Sequence, residues 1–373
     1  MSKQKKKKSN TLATVILIVC GGVLGVLIGM QVKNETSEKS GLFAFLHLLL
    51  LAISFYLQII LHEGGHLIAG RMTGYRFSSF RIGSLMLLKT HEGYSFRKFS
   101  IAGTGGQCLL IPPNKKPDGT YPYKLYHLGG VLLNLITAGL FFAIYCFGSM
   151  GNVVRSFFLY LAVSGAAYAV MNGIPMRVSG VATDGYNVLH IGKEPFALDA
   201  MWLQLKINEA QTEGIRLKDL PEKWFILPEN ASKNNEIISA IAVFSENRAM
   251  DALDFGKAKE IISMLEDSEN YSVIGIYRNL LLLDKITIDL MENGVDADIS
   301  ALNDPQVKVL RRSMAKYPAV IRTEYAVRLL KEKDPTAAKK YTDLLDAVGK
   351  TYPMKSDIES ETEIMNHLAS CIK

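Results

Sequence analysis

The chain has 373 residues, of which 49% are hydrophobic and 21% are charged, and its formal net charge is +6. These averages conceal two different halves. Residues 1–190 carry 18 Lys and Arg but only 6 Asp and Glu, whereas residues 191–373 carry 24 Lys and Arg and 30 Asp and Glu. A basic, very apolar half joined to an acidic half of ordinary composition excludes a single soluble globule, a disordered chain and a small disulfide-bonded scaffold.

Four uncharged apolar runs predict membrane-spanning helices, because a helix needs about 20 apolar residues to cross a bilayer. The runs cover residues 11–30, 41–61, 125–154 and 156–176, and the pattern of the second continues towards Gly70. A buried helix of a large soluble protein can mimic one such run, but four runs indicate an integral membrane protein. The first run is too long for a signal peptide and no small-residue cleavage site follows it, which favours a retained anchor.

Basic residues predict the orientation of these helices. Five of the first eight residues are lysines, and such a segment stays in the cytoplasm. Alternation across four spans then places the connection at residues 71–124 and the segment 191–373 in the cytoplasm. The connection is itself rich in Lys and Arg, so the two assignments agree. The predicted location is the cell membrane, with several spans and with both the N-terminus and the C-terminal domain cytoplasmic.

An HExxH pattern occupies residues 62–66, at the end of the second predicted span. Residues four apart share one face of a helix, so His62 and His66 can present imidazole nitrogens to one metal ion. Glu63 can then act as the general base towards a metal-bound water. The alternative is a pair of interfacial histidines beside a glutamate that reaches for water. An acid in an apolar helix is costly, however, and is a functional candidate by default.

A catalytic zinc site usually has three protein ligands and one open position. The third ligand here is predicted to be Asp184, which lies just past the fourth apolar run. In the predicted topology Asp184 and the HExxH pattern lie at the cytoplasmic ends of antiparallel helices, and therefore at the same depth. His91 and Glu92, in the polar connection, are the alternative candidates.

Three motifs in this order resemble those of the site-2 proteases, the family of intramembrane zinc metalloproteases. They are HExxH at residues 62–66, a glycine pair with asparagine at residues 129–134, and Asn-x-x-Pro followed by Asp-Gly at residues 172–175 and 184–185. The family usually has Gly-Pro where this chain has Gly129-Gly130, and Leu where this chain has Thr183. Neither departure removes a ligand or the base. The resemblance covers residues 42–190.

The resemblance implies that His62, His66 and Asp184 bind one zinc ion per chain and that Glu63 activates water. It implies an endopeptidase that hydrolyses peptide bonds in or next to transmembrane segments, in regulated intramembrane proteolysis. The implied substrate is a transmembrane protein or a signal-peptide remnant, and the lipid bilayer is the second partner.

The resemblance also implies that Asn134 and Asn172 lie near the site and bind substrate. Hydrogen bonds between helices are the alternative role for both residues. In the family, the segment after HExxH often forms a membrane-associated hairpin that helps present substrate. Residues 75–113 have the alternating aromatic and β-branched content of strands, which fits such a hairpin.

The predicted fold is therefore an all-α membrane core of about four transmembrane helices with a membrane-associated β-hairpin connection, followed by a soluble α-helical domain. The predicted domains are a basic N-terminus with its anchor (1–40), the intramembrane metalloprotease core (41–190), a linker (191–235) and a cytoplasmic helical domain (236–373). In the last, the segments that begin at Asp254 and Asp334 share Asp, Ala, Lys and Leu at matching offsets, which predicts a degenerate tetratricopeptide-like array. Residues 236–373 are expected to bind a cytoplasmic regulator or a substrate tail; a purely structural appendage is the alternative.

Two other classes of function compete with a protease. A catalytically silent membrane scaffold would recruit partners through its helical domain, but it gains nothing from the acid at Glu63. A metal transporter would need further ligands along a path, and the remaining His47, His127 and His190 form no such series. Nucleic-acid binding is not expected, because the basic residues flank membrane spans and the second half is acidic.

Overall fold

The computed structural model describes residues 37–99, 104–178, 181–267 and 269–372, with isolated residues between 14 and 30. The chain divides into two compact units. The first contains residues up to 77 and residues 105–194, and the second contains residues 78–104 and 195–373. The chain therefore passes from one unit to the other at residues 77–78, 104–105 and 194–195, and the segment 78–104 belongs with the C-terminal region rather than with the predicted core.

Three long helices form the first unit. They are α1 (Ser37–Met72), α2 (Tyr123–Phe147) and α3 (Asn152–Gly173). Each contains a stretch long and apolar enough to cross a membrane, and large apolar side chains such as Leu42, Phe45 and Ile136 are exposed on them. These helices indicate a membrane protein. Of the four predicted spans, the run 11–30 lies, except for isolated residues, outside the part of the chain that the structure describes.

The ends of these helices follow from local sequence. The predicted run 125–154 is interrupted at residues 148–151, where two glycines separate α2 from α3. Helix α3 ends two residues before Pro175, which has no N–H to continue a helix. After α1 the chain reverses through Gly74, whose φ of +88° is unfavourable for any residue with a Cβ. The first unit is completed by β4 (Gly106–Ile111), by the short antiparallel pair β5 (Arg177–Val178) and β6 (Val181–Ala182), and by α4 (Asp184–His190).

An antiparallel meander opens the second unit. Its strands are β1 (Arg76–Ile82), which enters this unit at Ser78, β2 (Leu85–Thr90) and β3 (Gly93–Lys98). The register pairs Arg81 with Met86 and Met86 with Arg97. Arg81, Met86 and Leu88 point to one face and are each only 1% exposed. The antiparallel strands predicted within residues 75–113 are thus confirmed.

Helices make up the rest of the second unit. They are α5 (Pro195–Thr212), α6 (Glu236–Asp251), α7 (Phe255–Leu265), α8 (Gly275–Asn293), α9 (Pro305–Ser313), α10 (Pro318–Ala326), α11 (Pro335–Gly349) and α12 (Lys355–Ser370). The meander is attached to them by a hydrogen bond from Lys98 N–H to the Thr351 carbonyl (3.2 Å) and by an edge-to-face contact of Phe99 with Tyr352.

The segment predicted as a linker, residues 191–235, is largely ordered within this unit. It contributes α5 and two short 3₁₀ turns, from which Leu217, Leu220 and Phe225 insert into an apolar cluster. Proline and polar residues in this stretch end the turns without preventing burial of the apolar residues between them.

The two similar segments of the sequence, which begin at Asp254 and Asp334, both start with a capped helix. Asp254 caps α7 by accepting a hydrogen bond from the Lys257 N–H, and Asp334 caps α11 by accepting one from the Ala337 N–H. The residue before each cap, Leu253 or Lys333, has a positive φ (58° and 54°). The matching offsets in the sequence therefore correspond to a repeated turn and cap. A tetratricopeptide-like array stays a prediction.

The helical core of the second unit buries an unbalanced group of charges. Arg322 on α10 is 2% exposed and pairs with Asp284 on α8 and with Glu361 on α12, where the Nη1 to Oε2 distance is 3.1 Å. Glu246 on α6 is fully buried beside them, and its carboxyl oxygens have no hydrogen-bond partner among the described residues. Burial raises the pKa of Glu246 well above its usual value, and burial raises the pKa of Glu361 to about 7 in spite of Arg322.

This cluster predicts that the helical region loses stability as the pH rises. The Glu361 carboxyl holds its proton up to about pH 7 in the fold, against an ordinary pKa of 4.5, so the associated stability is complete below about pH 4.5 and is lost as the pH rises through about 7. In the intact protein in detergent, we expect the unfolding midpoint to fall between pH 6 and pH 8, and Glu361→Gln to reduce that fall.

The matched control is Glu359→Gln, which neutralises an exposed acid on the same helix. It is expected to leave the pH dependence unchanged. An unfolding midpoint that rises over this pH range would contradict the assignment of a protonated acid to the core.

Candidate metal centre

Two histidines and one aspartate converge in the first unit. His62 and His66 lie one turn apart on α1, and their Nε2 atoms are 3.2 Å apart. The Oδ2 atom of Asp184, the first residue of α4, lies 3.1 Å from His62 Nε2 and 3.5 Å from His66 Nε2. Among the described residues, these three side chains form the one group of three or more possible metal ligands, with ligand atoms within 4.8 Å of one another.

The tautomer of His66 follows from its second nitrogen. His66 Nδ1 lies 2.8 Å from the backbone carbonyl of Tyr126 on α2. A carbonyl can only accept, so Nδ1 must carry the proton and donate it. The Nε2 atom of neutral His66 is therefore a lone-pair acceptor, and it points towards Asp184.

His62 has the same tautomer for a similar reason. Its Nδ1 atom lies 2.7 Å from Oδ1 of Asn134 on α2. The amide group of Asn134 is oriented by its other end, because Nδ2 donates to the backbone carbonyl of Gln58 (3.1 Å). Oδ1 is thus the atom that faces His62 and accepts its Nδ1 proton. The Nε2 atom of His62 is left as a second lone-pair acceptor.

The third converging atom is also an acceptor. This atom is Oδ2 of the Asp184 carboxylate, and a carboxylate oxygen accepts hydrogen bonds and binds cations. When both imidazoles are neutral, three acceptor atoms face one another, as the ligands of one cation do.

This arrangement fits a zinc ion. Bonds of about 2.0–2.1 Å in a tetrahedral site separate neighbouring ligand atoms by about 3.3–3.4 Å. The three separations here are 3.1, 3.2 and 3.5 Å. Two neutral imidazoles and one carboxylate also form a ligand set that zinc commonly takes, with one position left for water or substrate.

Asp184 is held in place by close backbone packing. A Cβ on Gly185 would lie 1.9 Å from the carbonyl oxygen of Gly173, so only glycine lets α4 begin directly against the end of α3. Thr183, where the site-2 protease pattern usually has Leu, caps α4 through the Tyr186 N–H (3.4 Å). Its hydroxyl lies 2.7 Å from the Ile174 carbonyl, to which it donates. The departure at Thr183 thus supports the loop that carries Asp184.

Glu63 lies beside the group, against the beginning of β4. A Cβ on Gly106 would lie 2.7 Å from Glu63 Cγ and 2.8 Å from its Oε1. The glycine therefore leaves the space that the carboxyl group occupies. Glu63 is half-buried and follows the first histidine directly, which is the position that the HExxH pattern assigns to a general base.

The other residues singled out in the sequence lie elsewhere. The amide of Asn172 donates to the Tyr168 carbonyl one turn earlier on α3 (3.1 Å). His91 pairs with Glu213 at 2.7 Å, and Glu92 lies 3.9 Å from Lys355; all four belong to the second unit. Of the candidates for a third ligand, Asp184 is the one that the fold brings to the histidines.

Helices α1 and α2 cross at two glycines. A Cβ on Gly65 would lie 2.2 Å from the Gly129 carbonyl oxygen, and a Cβ on Gly129 would lie 2.3 Å from the Gly65 carbonyl oxygen. Small residues at such crossings let helix backbones touch in a membrane. The crossing lies between His62 and His66 in the sequence, so it brings the Tyr126 carbonyl and Asn134 within reach of the imidazoles.

Comparison with known proteins identifies the family. Residues 50–350 match the family model described as Peptidase family M50, which includes both the helix that carries the histidines and most of the helical region. The chain therefore belongs to this family, the site-2 protease family of metallopeptidases, and the resemblance seen in the sequence is confirmed. No curated protein and no solved structure matches the chain.

The glycine crossing predicts a sharp difference between two adjacent substitutions. Gly65→Ala forces its methyl group into the α2 backbone, so we expect a loss of about 1–3 kcal/mol or more in stability and weaker metal binding. Gly64→Ala is the matched control, because its nearest neighbour is a Leu133 methyl group at 4.0 Å.

Thermal unfolding in detergent and zinc titration of the purified variants measure both effects. Equal stability and equal zinc affinity in the two variants would contradict the close crossing of α1 and α2.

Proposed function

We propose that this protein is an intramembrane zinc endopeptidase that hydrolyses peptide bonds in or next to transmembrane segments, in regulated intramembrane proteolysis. The observation that carries the proposal is the convergence of three atoms that can bind a metal, His62 Nε2, His66 Nε2 and Asp184 Oδ2. They lie at a bundle of helices that are apolar enough to cross a membrane. Membership of peptidase family M50 supports the same reaction.

We propose one zinc ion per chain, bound by His62, His66 and Asp184. Bound there, zinc supplies a Lewis acid that polarises the scissile carbonyl and lowers the pKa of water. The ligand side chains contribute fixed orientation, because the Tyr126 carbonyl and Asn134 hold both imidazoles with Nε2 facing inward.

In this proposal Glu63 moves the proton. Its carboxylate accepts a proton from the attacking water and then donates that proton to the amine that leaves. Its place directly after His62, with the carboxyl group lodged against Gly106, supports this role. A catalytically silent scaffold, the alternative reading, gives no reason for an acid at this position.

The two asparagines receive different roles. The amide of Asn134 is fully buried and is engaged by His62 and by Gln58, so its contacts favour the interhelical role over contact with substrate. Asn172 is half-buried at the end of α3, next to Gly173, which packs on Gly185. We keep Asn172 as the proposed contact to the substrate backbone.

The proposed setting is a multi-pass protein of the cell membrane. The span at residues 11–30 and the cytoplasmic location of both the N-terminus and the helical region rest on the lysine-rich start and on the basic connection. The proposed substrate is a transmembrane protein or a signal-peptide remnant, since a paired helix must unwind locally before its peptide bonds can be hydrolysed. The region 236–373 is proposed to bind a cytoplasmic regulator.

Two substitutions test the roles at the site. We expect Glu63→Gln to keep about one zinc per chain and to abolish cleavage of a model transmembrane substrate in detergent. We expect Asp184→Ala to lose zinc as well as cleavage, because two imidazoles alone hold the metal weakly. Zinc content by atomic emission and cleavage by gel analysis give the two readouts.

Glu92→Gln and Asp118→Ala are the controls, because both remove an exposed acid outside the ligand group. Wild-type protein without zinc would favour the scaffold. Cleavage by Glu63→Gln at the wild-type rate would remove the general-base role.

A further inference from the structure

A glutamine lies buried in the apolar part of α1. Gln58 is 0% exposed and is one turn before His62. Its side chain donates from Nε2 to the backbone carbonyl of Leu161 on α3 (2.9 Å) and accepts at Oε1 from Asn134 Nδ2 on α2 (2.7 Å). A buried amide in a membrane helix is costly unless it is bonded, and here it joins three helices.

The absence of a side chain at Gly165 allows the hydrogen bond between Gln58 and Leu161. A Cβ on Gly165 would lie 2.9–3.1 Å from the atoms of the Gln58 amide group. The missing side chain lets the amide reach the α3 backbone at Leu161, one turn earlier. The bond therefore depends on the packing of α1 against α3, and not on α1 alone.

The donor and the acceptor of each hydrogen bond between Leu161 and His62 can be assigned. The Leu161 carbonyl can only accept, so the end of the Gln58 side chain that faces it is the donating NH₂ group. Oε1 of Gln58 then faces Asn134 and receives its NH₂ group. The backbone carbonyl of Gln58 receives a bond from the same Asn134 NH₂ group (3.1 Å). Two independent carbonyls thus make Asn134 present its oxygen to His62 Nδ1.

We infer that Gln58 is a positioning residue for the metal centre: through Asn134 it holds His62 in the Nδ1–H tautomer, with the Nε2 lone pair aimed at the ligand group. The inference rests on the proposed function and adds a residue that no motif of the sequence contains. The relay runs from a carbonyl on α3, through amides on α1 and α2, to an imidazole on α1. Metal affinity is therefore coupled to the packing of all three helices.

The test replaces the amide by an apolar side chain of similar size, Gln58→Leu. We expect zinc affinity to fall about 10–100-fold, the usual effect of losing a partner that orients a metal ligand. The effect should not add to that of Asn134→Leu, because either change breaks the same relay. Zinc titration of both single variants and of the double variant measures the coupling.

A second measurement separates orientation from general loss of structure. In metal-free protein labelled with ¹⁵N-histidine, the His62 resonances, assigned by comparison with His62→Gln, should show Nδ1–H alone in the wild type and a mixture of tautomers in Gln58→Leu. Ser54→Ala is the matched control: Ser54 is fully buried one turn earlier on α1, but its hydroxyl donates only to the Leu50 carbonyl of the same helix (2.8 Å). It should keep wild-type affinity and tautomer.

The outcomes distinguish this inference from the proposed function. If the wild type binds zinc and cleaves, but Gln58→Leu keeps wild-type affinity, the positioning role is wrong and the protease remains. If metal-free wild-type protein carries the His62 proton on Nε2, the positioning role is wrong even where Gln58→Leu does not fold. If the wild type shows the Nδ1–H tautomer but binds no zinc, the proposed function fails while the relay stands.

Discussion

The convergence of three metal-ligating atoms is the constraint on which the centre of this protein depends. His62 Nε2, His66 Nε2 and Asp184 Oδ2 lie 3.1–3.5 Å apart, and each presents a lone pair when both imidazoles are neutral. In surroundings of low dielectric such a group is costly by itself, and a divalent cation relieves that cost. The neighbouring carbonyl and amide groups accept from the Nδ1 atoms of both imidazoles, so the Nε2 atoms face the group and are available to a cation.

Close backbone contacts between helices bring these three atoms together. The glycines at positions 65 and 129 bring α1 and α2 together, and those at positions 173 and 185 bring α4 onto the end of α3. Motifs that are separated by more than 100 residues thereby meet at one point. Several glycines of the family motifs are thus explained by packing, since a side chain at these positions would occupy space that another backbone fills.

The helical core of the second unit buries more acidic than basic side chains. Its helical core encloses Arg322 with the carboxyl groups of Asp284, Glu361 and Glu246, so acids outnumber the buried base. Protonation of the excess acids relieves the imbalance, because burial raises their pKa values. The match to peptidase family M50 extends to residue 350, so the family model covers most of this helical region as well as the metal centre.

The sequence by itself determined the class of the protein and predicted its three proposed ligands, with His91 and Glu92 as alternatives for the third. Uncharged runs predicted three helices that the structure contains, and HExxH named His62, Glu63 and His66, because helix periodicity alone brings residues four apart to one face. Spacing along the chain carries no such information about distant partners. The packing of three helices and of a short fourth one decided that Asp184, and not His91 or Glu92, lies at the histidines. It also decided that Asn134 bonds to His62 and that Gln58 bonds to Asn134, because a hydrogen bond between helices depends on how their backbones approach and leaves no periodic pattern in the sequence.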